Sequence, residues 1–156
     1  MAEGTSTLRG ALDSEDTRVM IDALGKLGIG VENELAARRL TVSGCAGRIA
    51  AHSAELYVAN SGTTVRFLTA LVALGQGTFR LDGTPRMRQR PIQDLLDALA
   101  QCGIDARSAS GTGCPPVEVH ARGLAGGDVR MRGDVSSQFL SGLLLAAVMM
   151  FNGRFG

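Results

Sequence analysis

The stretch "DALGKLGI" at residues 22–29 returns, little altered, as "DALAQCGI" at residues 97–104, an offset of 75 residues. Other pieces keep their order around these two anchors. "TLRG" (Thr7 to Gly10) precedes the first and "RLDG" (Arg80 to Gly83) the second. "LTVSG" (Leu40 to Gly44) follows the first, and "VEVHA" (Val117 to Ala121) the second. "RFLTALVA" from Arg66 is then answered by "QFLSGLLL" from Gln138. Ordered matches at a nearly constant offset are the mark of a repeated supersecondary unit.

Each unit reads strand, helix, strand, strand, helix. Val19, Met20, Ala23, Leu24 and Leu27 have helical spacing within Asp16 to Leu27, with Asp13 and Ser14 as cap candidates. Pro91 is placed in the first turn of the equivalent helix. Gly28 and Gly103 end the two helices, and short strands follow at Ile29 and Ile104. "RLTVSG" and "VEVHA" alternate as strands do. Thr64 to Leu74 and Ser137 to Met150 are apolar on most sides and are read as central helices. The units run over about 1–76 and 77–152. "NGRFG" at the end resembles "QGTFR" from Gln76, which makes 153–156 the start of a third unit and the chain an excerpt of a longer protein.

The totals bound the function. At 156 residues the chain suits one α/β domain with a sizeable core. Lys and Arg number 16 against 15 Asp and Glu, a net charge of +1, so nothing favours nucleic acid or an anionic membrane. The longest apolar run, Phe139 to Phe151, is shorter than the ~20 residues of a membrane span. Cys45, Cys102 and Cys114 are read as reduced thiols in a cytoplasmic protein, and two histidines are too few for a histidine-based metal site.

With so little net charge, an anion site requires a local cluster. "NSGTTVRFL" (residues 60–68) supplies one: small residues at a helix start, where backbone N–H groups lack partners, then Arg66 one turn on. A self-contained cap by Ser61 or Thr63 is the plainer reading of this segment alone. "DVSSQFL" (134–140) puts Ser136, Ser137 and Gln138 at the equivalent start in the second unit. "TPRMRQRPI" (84–92) alternates Arg86, Arg88 and Arg90, with Arg90 immediately before a helix. Two polar helix starts and a nearby guanidinium suit a small ligand with more than one negative group.

"LDSEDT", "NSGTTVRFL", "DGTPRMRQRPI" and "GDVSSQFLSGLLLAA", in this order and spacing, resemble the 5-enolpyruvylshikimate-3-phosphate synthase family of enolpyruvyl transferases. The resemblance implies inside-out α/β domains of repeated βαβαββ units, of which this chain holds about two of six. It implies transfer of the enolpyruvyl group of phosphoenolpyruvate to the 5-hydroxyl of shikimate 3-phosphate, with loss of phosphate and no metal or organic cofactor. Gly62 would approach the phosphoenolpyruvate phosphate, Asn60 would shape its loop, and Thr63 and Arg66 would hold the helix start. Arg90 would grip phosphoenolpyruvate. Ser136 and Ser137 would bind the shikimate 3-phosphate phosphate, with Gln138 between the ligands. Asp16 is read as structural.

Many bacterial members have "NAGTAMRP" where this chain has "NSGTTVRF"; these positions border the family's glyphosate site, which makes glyphosate a possible inhibitor. No catalytic residue is assigned within the chain: the resemblance implies that the proton-transfer groups belong to a second domain, which is expected to lie outside this sequence, as is the "K-S-x-x-x-R" motif. Two alternatives stand beside this reading: a domain like that of UDP-N-acetylglucosamine enolpyruvyl transferase, and a non-catalytic anion-binding module. The "SSQ" and "R-x-R-P-I" contexts speak against the first. Self-association through the truncated edge is also expected.

Overall fold

Gly28 and Gly103 end two helices in the same left-handed conformation, at φ 83° and 81°. Ile29 N–H reaches back to Leu24 O at 2.9 Å, and Ile104 N–H to Leu99 O at 3.1 Å. Gly28 N–H bonds Gly25 O at 3.0 Å, and Gly103 N–H bonds Ala100 O at 2.9 Å. These are the crossed bonds that satisfy the last carbonyls of a helix. Every partner in the second set lies 75 residues after its counterpart in the first.

The computed structural model describes residues 3–131 and 136–152. It holds β1 (Thr5–Arg9), α1 (Glu15–Lys26), β2 (Val31–Glu34), β3 (Arg39–Ser43) and β4 (Ser53–Tyr57), followed by α2 (Gly62–Val72) and β5 (Gln76–Asp82). A 3-10 turn (Met87–Gln89) leads to α3 (Gln93–Gln101), β6 (Asp105–Ser108), β7 (Val117–Arg122) and α4 (Ser137–Asn152). One sheet has the order β1-β3-β2 and the other β4-β5-β7-β6.

The repeat is built into the pairing. β3 pairs antiparallel with both β1 and β2, and β7 pairs antiparallel with both β5 and β6. Thus β1-α1-β2-β3 and β5-α3-β6-β7 are one motif used twice. The second sheet carries one more strand, β4, parallel to β5. From β4 to β7 the elements run β, α, β, α, β, β.

Several boundaries differ from the sequence reading. α2 starts at Gly62, so Gly62 and Thr63 lie inside the first turn. α3 starts at Gln93, after Pro91. The buried Ile92 side chain and the Ile92 N–H bond to Gly113 O at 2.9 Å hold the backbone out of the helix there. Arg90 therefore ends the 3-10 turn rather than preceding a helix directly. Ile29 and Ile104 are buried residues just before β2 and β6, not members of them. β4 was not among the expected strands, although Ala54 and Leu56 turn inward between the exposed Ser53, Glu55 and Tyr57. The expected third unit at 153–156 lies outside the described residues.

The core runs between the sheets and helices through Leu56, Leu68, Phe79, Leu81, Leu95, Leu99 and Phe139. Burying such side chains is the main term holding the layers together, at about 1.5–3 kcal/mol each. α2 lies within it, with Val65, Leu68, Thr69, Ala70 and Val72 buried. α4 is less covered than expected of a central helix. Leu140, Leu144, Leu145 and Val148 are each more than half exposed, because no described element packs on that side. No helix among the described residues is long and apolar enough to cross a membrane.

Candidate anion-binding site

The turn from β4 into α2 is braced from the end of β5. Val58 N–H bonds Asp82 O at 2.8 Å, and Thr84 N–H bonds Ala59 O at 2.9 Å. A Cβ on Gly83 would stand 2.2 Å from Ala59 O, so only glycine permits this approach. Ala59 itself is left-handed, at φ 46°. Such a conformation costs an L-residue about 1–2 kcal/mol and is kept only where neighbours fix it. Its effect is to swing Asn60 and Ser61 to the start of α2.

Ser61 is the N-cap. Its Oγ accepts from Thr64 N–H at 3.3 Å and donates to Thr64 Oγ1 at 2.8 Å. For Ser61 the plainer reading, a self-contained cap, is therefore what the structure shows. Thr63 instead turns outward, where its Oγ1 accepts from Gln138 Nε2 at 3.1 Å.

Two guanidinium groups close over this helix start. Arg90 Nη1 donates to Asn60 O at 3.0 Å. A Cβ built on Gly62 would lie 2.6 Å from Arg90 Nη1 and 3.3 Å from Arg66 Nη1. Arg66 Nη1 donates to Gln138 Oε1 at 2.5 Å, and the Arg66 guanidinium carbon sits 5.1 Å from the Phe139 ring centre. Burial, then the like charge of Arg90, pulls the Arg66 pKa down from its ordinary value. Among the described residues neither arginine has a carboxylate partner. Among the described residues, Arg66 Nε and Asn60 Oδ1 are buried without a hydrogen-bond partner. Two cations left facing each other at the positive end of a helix create a strong local potential for an anion.

The second helix start adjoins the first. Gln138 bridges Arg66 and Thr63, and further along Gly142 packs on Arg66, Phe67 and Ala70. Contacts advance in the same direction on both helices, so α2 and α4 run parallel with their starts at one end. Ser136 Oγ accepts from Gln138 N–H at 3.3 Å, and Ser137 is exposed in the first turn of α4. Asp134 and Val135 of the same motif lie outside the described residues.

Asn60, Gly62, Thr63, Arg66, Arg90 and Gln138 thus form one connected cluster, with Ser136 and Ser137 at its α4 side. Of the alternating arginines only Arg90 joins it. Arg88 pairs with Asp82 at 2.7 Å, and Arg86 is exposed. Asp16 lies in the first turn of α1, behind the Ser14 cap. Asp82, Gly83 and Thr84 brace the loop and were not singled out from sequence, although "LDGTP" carries turn chemistry. No cluster of His, Cys, Asp and Glu among the described residues could hold a metal ion.

Comparison with known proteins gives a consistent answer. The family model described as EPSP synthase (3-phosphoshikimate 1-carboxyvinyltransferase) matches residues 1–155. The chain is 47% identical over 148 residues to 3-phosphoshikimate 1-carboxyvinyltransferase of Shewanella denitrificans, covering 94% of this chain and 35% of that one. It is 46% identical over 155 residues to the chloroplastic enzyme of Brassica napus, covering 94% and 30% of the two chains. The structure resembles EPSP synthase from Acinetobacter baumannii with a TM-score of 0.78 and 27% identity, over 94% of this chain and 33% of the other. The chain spans about a third of the length of the relatives it matches. On the family match over nearly its whole length, together with the doubled motif and the site at its helix starts, this chain belongs to the EPSP synthase family.

Proposed function

We propose that this chain forms one wall of the active-site cleft of a 3-phosphoshikimate 1-carboxyvinyltransferase, the transferase of aromatic amino acid biosynthesis that acts on phosphoenolpyruvate and shikimate 3-phosphate. The observation that carries the reading is the Arg66–Gln138–Thr63 chain of hydrogen bonds, which joins the starts of α2 and α4 beside Arg90. In this reading the phosphate of phosphoenolpyruvate lies against Gly62, Arg66 and Arg90. The phosphate of shikimate 3-phosphate lies against Ser136 and Ser137. Gln138 stands between them and fixes their separation.

The role of this wall is to position and neutralise. In the transfer, the 5-hydroxyl gives up its proton as its oxygen bonds to C2 of phosphoenolpyruvate, and C3 takes a proton. The C2–O bond to phosphate then breaks, C3 gives up a proton, and phosphate leaves. The wall's guanidinium and N–H groups offset the charge of the departing phosphate. Groups that move the proton belong to the second domain in this reading, and each contributes ~10²–10⁴-fold. The chain alone therefore binds its ligands weakly and does not turn over.

Purified chain incubated with both substrates should release no phosphate above blank, while shikimate 3-phosphate raises its melting temperature. Turnover near that of a full-length relative would refute the first half of the proposal. Protection by UDP-N-acetylglucosamine, with none from shikimate 3-phosphate, would overturn the substrate assignment. Equal affinity for inorganic phosphate and shikimate 3-phosphate would favour an anion-binding module.

A further inference from the structure

In each unit a left-handed residue between two paired strands passes its carbonyl to the loop ahead of the helix. Arg38, at φ 50°, lies between β2 and β3, and its O accepts from Gly10 N–H at 2.8 Å and Ala11 N–H at 3.1 Å, in the loop from β1 to α1. Gly113, at φ 73°, lies between β6 and β7, and its O accepts from Ile92 N–H at 2.9 Å, in the loop from β5 to α3. The latch is thus part of the repeat. The loops it closes on differ: the first runs over residues 10–14, the second over 83–92, and only the second carries an arginine that reaches the α2 start, Arg90.

Arg90 is held from both sides. Its N–H donates to Met87 O at 3.0 Å, and Met87 is fully buried. Pro91 fixes the φ that follows. Ile92 then has its side chain in the core and its N–H on Gly113, and its O accepts from Leu95 N–H at 3.0 Å. The β6–β7 loop is itself closed. Ala109 N–H donates to Pro116 O at 2.8 Å, and Ser108 Oγ donates to Cys114 O at 2.6 Å. From this pinned backbone Arg90 Nη1 reaches Asn60 O.

We propose that Gly113 is a positioning residue for Arg90: its left-handed carbonyl pins Ile92 N–H, and the pinned Pro91–Ile92 step sets where the Arg90 guanidinium stands. The proposal rests on reading Arg90 as a ligand group. It adds a residue on a different loop that acts through the backbone and touches no ligand.

The test compares Gly113→Asn with Gly113→Val in the ¹⁵N-labelled 156-residue chain. Either substitution brings a Cβ to 3.3 Å from Gln93 Cβ, so crowding is shared and backbone conformation sets the two apart. Asparagine tolerates a left-handed φ, and a β-branched residue does not. In the parent the Ile92 amide exchanges slowly. In Gly113→Val it exchanges roughly tenfold faster, the nuclear Overhauser contact between the Arg90 side chain and Gly62 weakens, and phosphoenolpyruvate affinity falls about fivefold. Affinity for shikimate 3-phosphate stays as it was. Gly113→Asn remains within about twofold of the parent in every reading. If circular dichroism shows Gly113→Val unfolded, Ser108→Ala loosens the same loop without backbone strain, with changes of about threefold in the same directions.

Faster Ile92 exchange with an unchanged Arg90–Gly62 contact and unchanged phosphoenolpyruvate affinity overturns the role of Gly113. So does an equal loss of both affinities, which marks a general loosening. If exchange and contact respond as stated but phosphoenolpyruvate does not bind the parent, the reading of Arg90 as a ligand group is overturned instead.

Discussion

The guanidinium of Arg90 lies across the Cα of Gly62, so close that a methyl group there would stand 2.6 Å from Nη1 and 3.0 Å from Cζ. Glycine at this position is a spacing device. The groups it would displace are the ends of flexible side chains, not backbone. Gly62→Ala should therefore leave the fold intact, with stability unchanged or raised by up to about 1 kcal/mol from better helix propensity. Affinity for phosphoenolpyruvate should fall by roughly tenfold as Arg90 is pushed aside, about the 1.4 kcal/mol of one charge-assisted hydrogen bond. Calorimetric titration beside a thermal melt separates the two effects. Loss of stability without loss of affinity would contradict the geometry.

Ala59 stores strain at the entrance to the same helix, at φ 46°. Glycine adopts that conformation without steric penalty, at some cost in unfolded-state entropy. Ala59→Gly should raise stability by on the order of 0.5–1 kcal/mol. Chemical denaturation measures this directly, and a clear loss of stability would mean that Ala59 is not held in this conformation.

Asp82 connects the bracing loop to charge. Burial works to raise its pKa, but hydrogen bonds from Arg88 and Gly83 N–H and the charges of Arg88 and Arg80 outweigh it and hold it below the ordinary 3.8. A depressed folded-state value means that the ionised carboxylate stabilises the fold above about pH 3.8, and that this contribution disappears as pH falls through the lower folded value. Asp82→Asn should thus destabilise the chain at pH 7, by about 1 kcal/mol given the partial exposure of the Arg88 pair. Below the folded-state pKa the parent and the variant should converge. Melting curves from pH 7 down to about 3 test it, and a difference that grows in acid would reverse the sign.

The exposed stripe of Leu140, Leu144, Leu145 and Val148 on α4 is a large apolar patch. The equivalent helix α2 buries Leu68 and Val72 completely. The isolated chain should self-associate through this stripe in a concentration-dependent way. Leu140→Glu with Leu144→Glu should shift the equilibrium towards monomer while the far-ultraviolet spectrum stays unchanged. Sedimentation equilibrium reads this, and a parent chain that is monomeric at all concentrations would contradict it.

The repeat was legible because it is written in helix-ending chemistry. Gly28 and Gly103 sit at positions that require positive φ, and apolar residues at helical spacing precede both. The clustering of Arg66, Gly62 and Gln138 was legible as a consequence, since equivalent helices in repeated units start at one end. What sequence did not carry was the competition for backbone groups. Pro91 is well suited to a first turn, but Gly113 O claims the next N–H, and α3 starts two residues later. β4 is only five residues long and has no β-branched residue, so its alternation did not stand out. The alternating arginines looked equivalent, yet Asp82 takes Arg88, and only Arg90 reaches Asn60 O.

The most direct measurement is a titration of the labelled chain with shikimate 3-phosphate and then phosphoenolpyruvate, following the amides of Gly62, Thr63, Ser137 and Gln138. Saturable shifts are expected at both helix starts, with shikimate 3-phosphate acting mainly on Ser137 and Gln138, and phosphoenolpyruvate mainly on Gly62 and Thr63. Shifts confined to one helix start, or none at either while the fold is intact, would contradict this.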